Sequence, residues 1–212
     1  MNIENRVGVF TPKNLATLGI LAALVMIFQM ALGMINIGGT SFSIVLIPIV
    51  LGSLLIGPWA GALLGFIFSL IVFLYGVFGA DPFTHYMIEA NWFLTMIVCF
   101  LKGILAGFVP GLVYKALYKK NEYLGSALAS ISAPIVNTGI FVGMMLLLQN
   151  VFIGALSDAY GFTADAAGFA NFVIIGLAGI NFIVEFAVNA IAIPAIHTIV
   201  RIVERSVIGE KK

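Results

Sequence analysis

The 212-residue chain is 62% hydrophobic and only 9% charged, with a formal net charge of +1 and a single cysteine, Cys99. That balance belongs to an integral membrane protein and excludes a disulfide framework, a thiolate metal cluster and a nucleic-acid-binding surface. At about 20 residues per helical span, the length allows roughly six spans joined by short loops.

Residues 1–14 are polar and carry Arg6 and Lys13. The apolar run 15–35 opens as a signal peptide does, but it is long enough to span and further spans follow, so it reads as a mature helix. Ala16, Gly19, Ala22 and Ala23 give its start a smooth surface, and Gln29 stands further along. Gly38-Gly39 marks a loop, and a short second span, 42–56, contains Pro48. Gly57-Pro58 then makes a tight turn, because Pro lacks an N–H and restricts the residue before it. The third span, 59–78, brings Gly61, Gly65 and Ser69 to one face, where small residues let another helix approach closely.

A polar loop with Asp81, His85, Tyr86 and Glu89 leads into a fourth span, 91–118, longer than a bilayer requires. The fifth span, 124–152, contains Pro134. After a loop with Asp158, Tyr160 and Asp165, the sixth, 170–199, runs into a basic tail at 201–212. No internal repeat and no linker divides the chain. The expectation is a single all-α integral membrane domain, 1–212, with six transmembrane helices.

Orientation follows from the distribution of basic residues. Six spans put both termini on one side, with Arg6, Lys13, Lys115, Lys119, Lys120, Arg201, Arg205, Lys211 and Lys212. The opposite loops hold Asp81, Glu89, Asp158 and Asp165 and no Lys or Arg. Both termini are therefore expected to be cytoplasmic.

Lys102 is the exception among the basic residues. It stands about eleven residues into the fourth span, roughly 16 Å below the outer face. An unpaired charge there costs about 3 kcal/mol on insertion scales, so it needs a partner or an aqueous cavity. Glu185, at comparable depth in the sixth span, is the partner for a structural pair; an anionic ligand is the alternative. Helical spacing aligns Asn91, Thr95 and Lys102 on one face of the fourth span. Asn181, Glu185 and Asn189 line a face of the sixth, with Asn171 near its outer mouth, and Asn137, Phe141, Met145 and Gln149 line a face of the fifth. Three such stripes make an outward-open pocket, against the competing reading of buried amides as interhelical glue. Trp92 and Tyr86 are placed to close over a ligand, although interfacial aromatics need none.

Enzyme chemistry finds little support. An intramembrane serine protease needs a serine set against a histidine, yet His85 lies in an outer loop and His197 near the inner end of the sixth span. Ser126 and Ser130 near the inner face have no nucleophile context. A paired-histidine metal motif and a GxxxxGK[ST] phosphate loop are both missing, so neither metal nor nucleotide cofactor is expected.

Six short-looped spans, with Pro48, Gly57-Pro58, Gly61 and Gly65 around the second and third, resemble the substrate-binding S component of energy-coupling-factor (ECF) vitamin transporters. The stretch SAPIVNTGIF at 132–141 resembles a fifth-helix pattern of that family. The resemblance implies a plasma-membrane subunit that captures a vitamin or its precursor from outside. It also implies partners: a membrane coupling protein and two cytoplasmic ATPases, docked through small residues of the first helix, here Ala16, Gly19, Ala22 and Ala23. Expected substrate-binding residues are Lys102, Asn91, Thr95, Asn137, Gln149, Asn181 and Glu185, with pantothenate the leading substrate. A neutral vitamin is the alternative if Glu185 neutralises Lys102. An assembly subunit without a site, or a secondary transporter coupled through Lys102 and Glu185, are the competing classes; the latter lacks the expected inverted repeats.

Overall fold

The computed structural model describes residues 11–32, 36–37, 40–41 and 44–209. Arg6, Gly38-Gly39, the start of the expected second span at Phe42, and Lys211 and Lys212 lie outside the described residues. The fold is helical except for a two-residue ladder, β1 (Asn36–Ile37) with β2 (Thr40–Ser41), paired antiparallel where a loop was expected.

Helix α1 (Pro12–Leu32) starts with Pro at its first position, and Thr11 Oγ1 accepts from Asn14 N at 3.3 Å. Helix α2 (Leu46–Leu55) has ten residues, nearly all buried. At 1.5 Å per residue it is about 15 Å long, half a hydrocarbon core. A helix that is apolar all round is at home inside protein, and α2 packs among α1 and the longer helices. Gly57, at φ 140°, ends it in a conformation only glycine adopts readily, and Pro58 opens α3 (Pro58–Val77).

Helix α4 (Pro82–Leu117) lies against α3 along a seam without side chains. A Cβ on Gly61 would strike the Gly107 carbonyl oxygen, and one on Gly65 that of Gly103; Gly103 in turn faces the Ser69 hydroxyl. The smooth face read from Gly61, Gly65 and Ser69 is therefore helix packing, and its partner is α4. The expected start of the fourth span at Asn91 is a break inside α4: Asn91 leaves the helical region at φ −165°, ψ 99°, and its Oδ1 accepts from Leu94 N at 3.0 Å. Asn91 thus caps a second helical segment.

Helix α5 (Glu122–Leu147) is capped by Asn121, whose Oδ1 accepts from Leu124 N at 3.0 Å. The expected fifth span does not continue to 152, because the chain turns at Leu148 into a separate helix, α6 (Gln149–Tyr160). A short α7 (Ala166–Asn171), a π-helical stretch Phe172–Gly179 and α8 (Ile180–Gly209) follow without a break. Among the described residues, five helical stretches are long and apolar enough to cross a membrane: Pro12–Ala31, Pro58–Val77, Pro82–Leu117, Glu122–Leu147 and Ala166–Val203.

Two apolar clusters fill the interior. One gathers Leu18, Leu21, Val25, Ile49, Leu54, Leu64, Phe68 and Tyr114 with Ile196 and Val200 of α8. The other gathers Phe83, Met87 and Val98 with Met145, Phe152, Phe169, Val173 and Leu177. The candidate site lies where they meet.

Candidate substrate cavity

Between the clusters is a cavity of about 80 Å³, lined by Phe68 and Val72 from the first cluster and its fringe and by Phe83, Met87, Val98 and Leu177 from the second. By that measure it has room for about five waters. Its polar wall brings together four expected residues: Lys102 from α4, Asn137 from α5, and Asn181 and Glu185 from α8. The Gly103–Gly65 contact beside Lys102 sets the height of that ammonium against α3.

Glu185 is only 2% exposed, yet it does not pair with Lys102. Its Oε2 accepts from Asn137 Nδ2 at 3.2 Å. The Lys102 ammonium stands 5.1 Å from the centroid of the Phe141 ring and makes no ion pair among the described residues. A cation over an aromatic face gains about 0.5–2 kcal/mol, which holds the ammonium in place without neutralising it. The structural pair weighed from the sequence is therefore not formed.

Three expected site residues fall elsewhere. Asn91 spends its side-chain oxygen on the α4 cap, and buried Thr95 donates its hydroxyl to Asn91 O at 2.8 Å. Gln149 opens α6 rather than extending the α5 stripe, and does not line the cavity. For Asn91 and Gln149 the reason is that helical spacing assumes an unbroken helix, and the chain breaks at Asn91 and at Leu148; Thr95 shares an unbroken segment with Lys102, but its hydroxyl is spent on the Asn91 carbonyl. Asn189 is buried and donates to Glu185 O at 2.9 Å, behind the wall, while Asn171 is exposed.

Sequence reasoning did not assign Gln29, Asp81, Thr84, Cys99 or Thr138, all of which line the cavity. Gln29 is 3% exposed, and a lone amide in an apolar first span was signal enough to find it. The Thr84 hydroxyl donates to Asp81 at one end of the cavity. Above it lies an aromatic cover in which Tyr160 meets Phe83, Tyr86 and Phe172 at centroid distances of 6.3, 6.0 and 5.1 Å. The Tyr160 hydroxyl is pushed up to about 12, first by burial and then by Asp81 and Tyr86, so it stays a neutral donor at physiological pH. Tyr86 belongs to this cover; Trp92, 60% exposed, meets Phe93 edge-on instead.

At the opposite end, Ser126 Oγ does lie 3.3 Å from His197 Nδ1, a contact not expected from residue spacing. Ser126 is fully buried and its hydroxyl donates to Glu122 O at 3.0 Å, so the contact clasps α5 to α8 and offers no accessible nucleophile.

Membrane-length helices around a partly polar cavity beneath an aromatic cluster fit a multi-pass membrane protein. A family model described as ECF transporter, substrate-specific component, matches residues 13–197, and the chain belongs to that family. No curated protein and no solved structure matches the chain. Substrate-specific components are substrate-binding transport subunits and not enzymes; they pair with a module made of a membrane protein and ATPases, where ATP is hydrolysed. The matched range contains every residue of the cavity wall.

Proposed function

We propose that the chain is the high-affinity binding subunit of an ATP-driven importer in a bacterial or archaeal plasma membrane. Its substrate is a small acidic vitamin or vitamin precursor, with pantothenate the first compound to test. The observation that carries this reading is Lys102, an ammonium in the cavity wall without an ion-paired carboxylate among the described residues. An acidic ligand supplies the missing countercharge within a buried site, where charge-assisted hydrogen bonds are strong. Native mass spectrometry of gently purified protein is expected to show a small acidic molecule retained by the chain. A neutral or cationic passenger would overturn the acidic assignment, and a consistently empty protein would favour an assembly subunit.

The six-span topology with cytoplasmic termini belongs to the same proposal, with α2 and the residues before it as the short second crossing of one domain. Supporting it, the Ser126–His197 contact sets the α8 end carrying Arg201 beside the turn carrying Lys119 and Lys120. Asp81 lines the cavity beside Phe83, which meets Tyr160 of the aromatic cover, and Asp158 stands two residues before Tyr160. In a Cys99→Ala background, Asp158→Cys is expected to react with an impermeant thiol reagent in intact cells. Lys119→Cys is expected to react only after the membrane is opened; labelling from outside would sink the topology.

A further inference from the structure

Glu185 is buried without a cation against it, and amides meet it instead. Asn137 Nδ2 donates to its carboxylate, and Asn181, one turn earlier on α8, approaches the same group. Asn137 turns its NH2 towards the carboxylate oxygen, and Asn181 meets the same carboxylate as a second amide donor. That fixes the direction in which both amides face, since an amide with NH2 on one side carries its oxygen on the other.

The oxygens so directed are Asn137 Oδ1 and Asn181 Oδ1, and both are buried without a hydrogen-bond partner. Gln29 Oε1, across the cavity on α1, is in the same state. All three residues line the cavity, and Asp81 adds a carboxylate at one end. Buried side-chain polar atoms usually find a partner, so several unpaired acceptors around one cavity point to donors that arrive with a ligand. Lys102 is the wall's one charged donor, set against this group of acceptors.

We infer that Glu185 is a positioning residue that holds Asn137 and Asn181 as acceptors, and that the substrate carries at least two N–H or O–H donors in addition to its acidic group. The inference rests on the cavity being the substrate site proposed above, and it names the chemistry of the substrate's other half. Glu185 itself touches neither Lys102 nor, in this assignment, the ligand.

Three probes separate the two halves: pantothenate carries the acid and the donors, panthenol the donors without the acid, and butanoate the acid alone. Binding of each to the purified full-length chain is measured by calorimetry, with melting temperature recorded for every variant. The wild type is expected to favour pantothenate over butanoate by at least about tenfold. In Glu185→Gln, whose side chain can itself donate, the amides are free to turn round, and that preference should fall about tenfold. Asn181→Leu removes one acceptor with Glu185 in place; it should lower the preference too, and it serves if Glu185→Gln does not fold. A purely structural Glu185 would weaken both acids alike and leave the preference unchanged. An unchanged preference in both variants, butanoate bound as tightly as pantothenate by the wild type, or binding of none of the three probes, overturns the inference. Panthenol bound as tightly as pantothenate refutes the acidic assignment to Lys102 but supports the donor requirement.

Discussion

Lys102→Met is expected to weaken substrate binding about ten- to hundredfold while the protein remains folded. The change keeps the apolar stem and removes the charge, deleting a charge-assisted hydrogen bond worth roughly 1.5–3 kcal/mol. The structure says why folding should survive. Glu185 keeps its hydrogen bond from Asn137 and makes no direct ion pair with Lys102, so the substitution removes only the ammonium's longer-range field at that carboxylate. The contact with Phe141 is lost too, but methionine sulfur also packs well against aromatic rings. Adding Glu185→Gln tests the remaining alternative. If the two residues neutralised each other, the double variant would recover affinity; no recovery is expected. Titration of both variants with labelled substrate, alongside melting curves, decides the matter, and restored affinity in the double variant would refute the role given to Lys102.

Gly19→Leu is expected to abolish uptake and leave substrate binding unchanged. A Cβ at Gly19 meets nothing within 4 Å, so a larger side chain has room in the isolated subunit. Ala16 and Gly19 are exposed and Ala23 is half-buried, which leaves a smooth strip on the outside of α1 for a partner helix. Ala22, by contrast, packs against the apolar core, which takes it out of the expected docking face. A leucine on the strip would hold apart two backbones that must approach closely to couple binding to ATP hydrolysis. Uptake measured in cells carrying the whole transporter, beside binding to the purified variant, separates docking from folding. Normal uptake would remove Gly19 from the docking surface, and loss of binding would point to misfolding instead.

How much of this was legible in the sequence depended on the kind of signal. Lys102, Glu185, Asn137 and Asn181 stood out because a polar group in an apolar span must be explained, and the structure gathers all four. Gly61, Gly65 and Ser69 revealed a smooth face, but periodicity describes one helix at a time and cannot name α4 as the partner. Asn91 and Gln149 misled for a related reason, since aligning residues by spacing presumes continuous hydrogen bonding. Asn is itself a favoured helix cap, so Asn91 carried the signal for its own break. The turn at Leu148 has neither Pro nor Gly to announce it. Asp81 and Thr84 reach the cavity through tertiary packing alone, for which no local pattern exists.

The glycine seam also has a mechanical meaning. With carbonyl oxygens resting where side chains would stand, α3 and α4 can neither slide nor roll without driving backbone into backbone, so the pair behaves as a stiff plate. Phe68, Val72, Val98 and Lys102 are mounted on that plate. The facing wall is built otherwise: Leu177 and Ala178 sit on wide-turned π-helical backbone that runs straight into Asn181 and Glu185, and Gln29 rides on the outer helix α1. A guest too large for about 80 Å³ would therefore be accommodated from that side, with the ammonium as the fixed jaw and Gln29 and Asn181 as the side that gives.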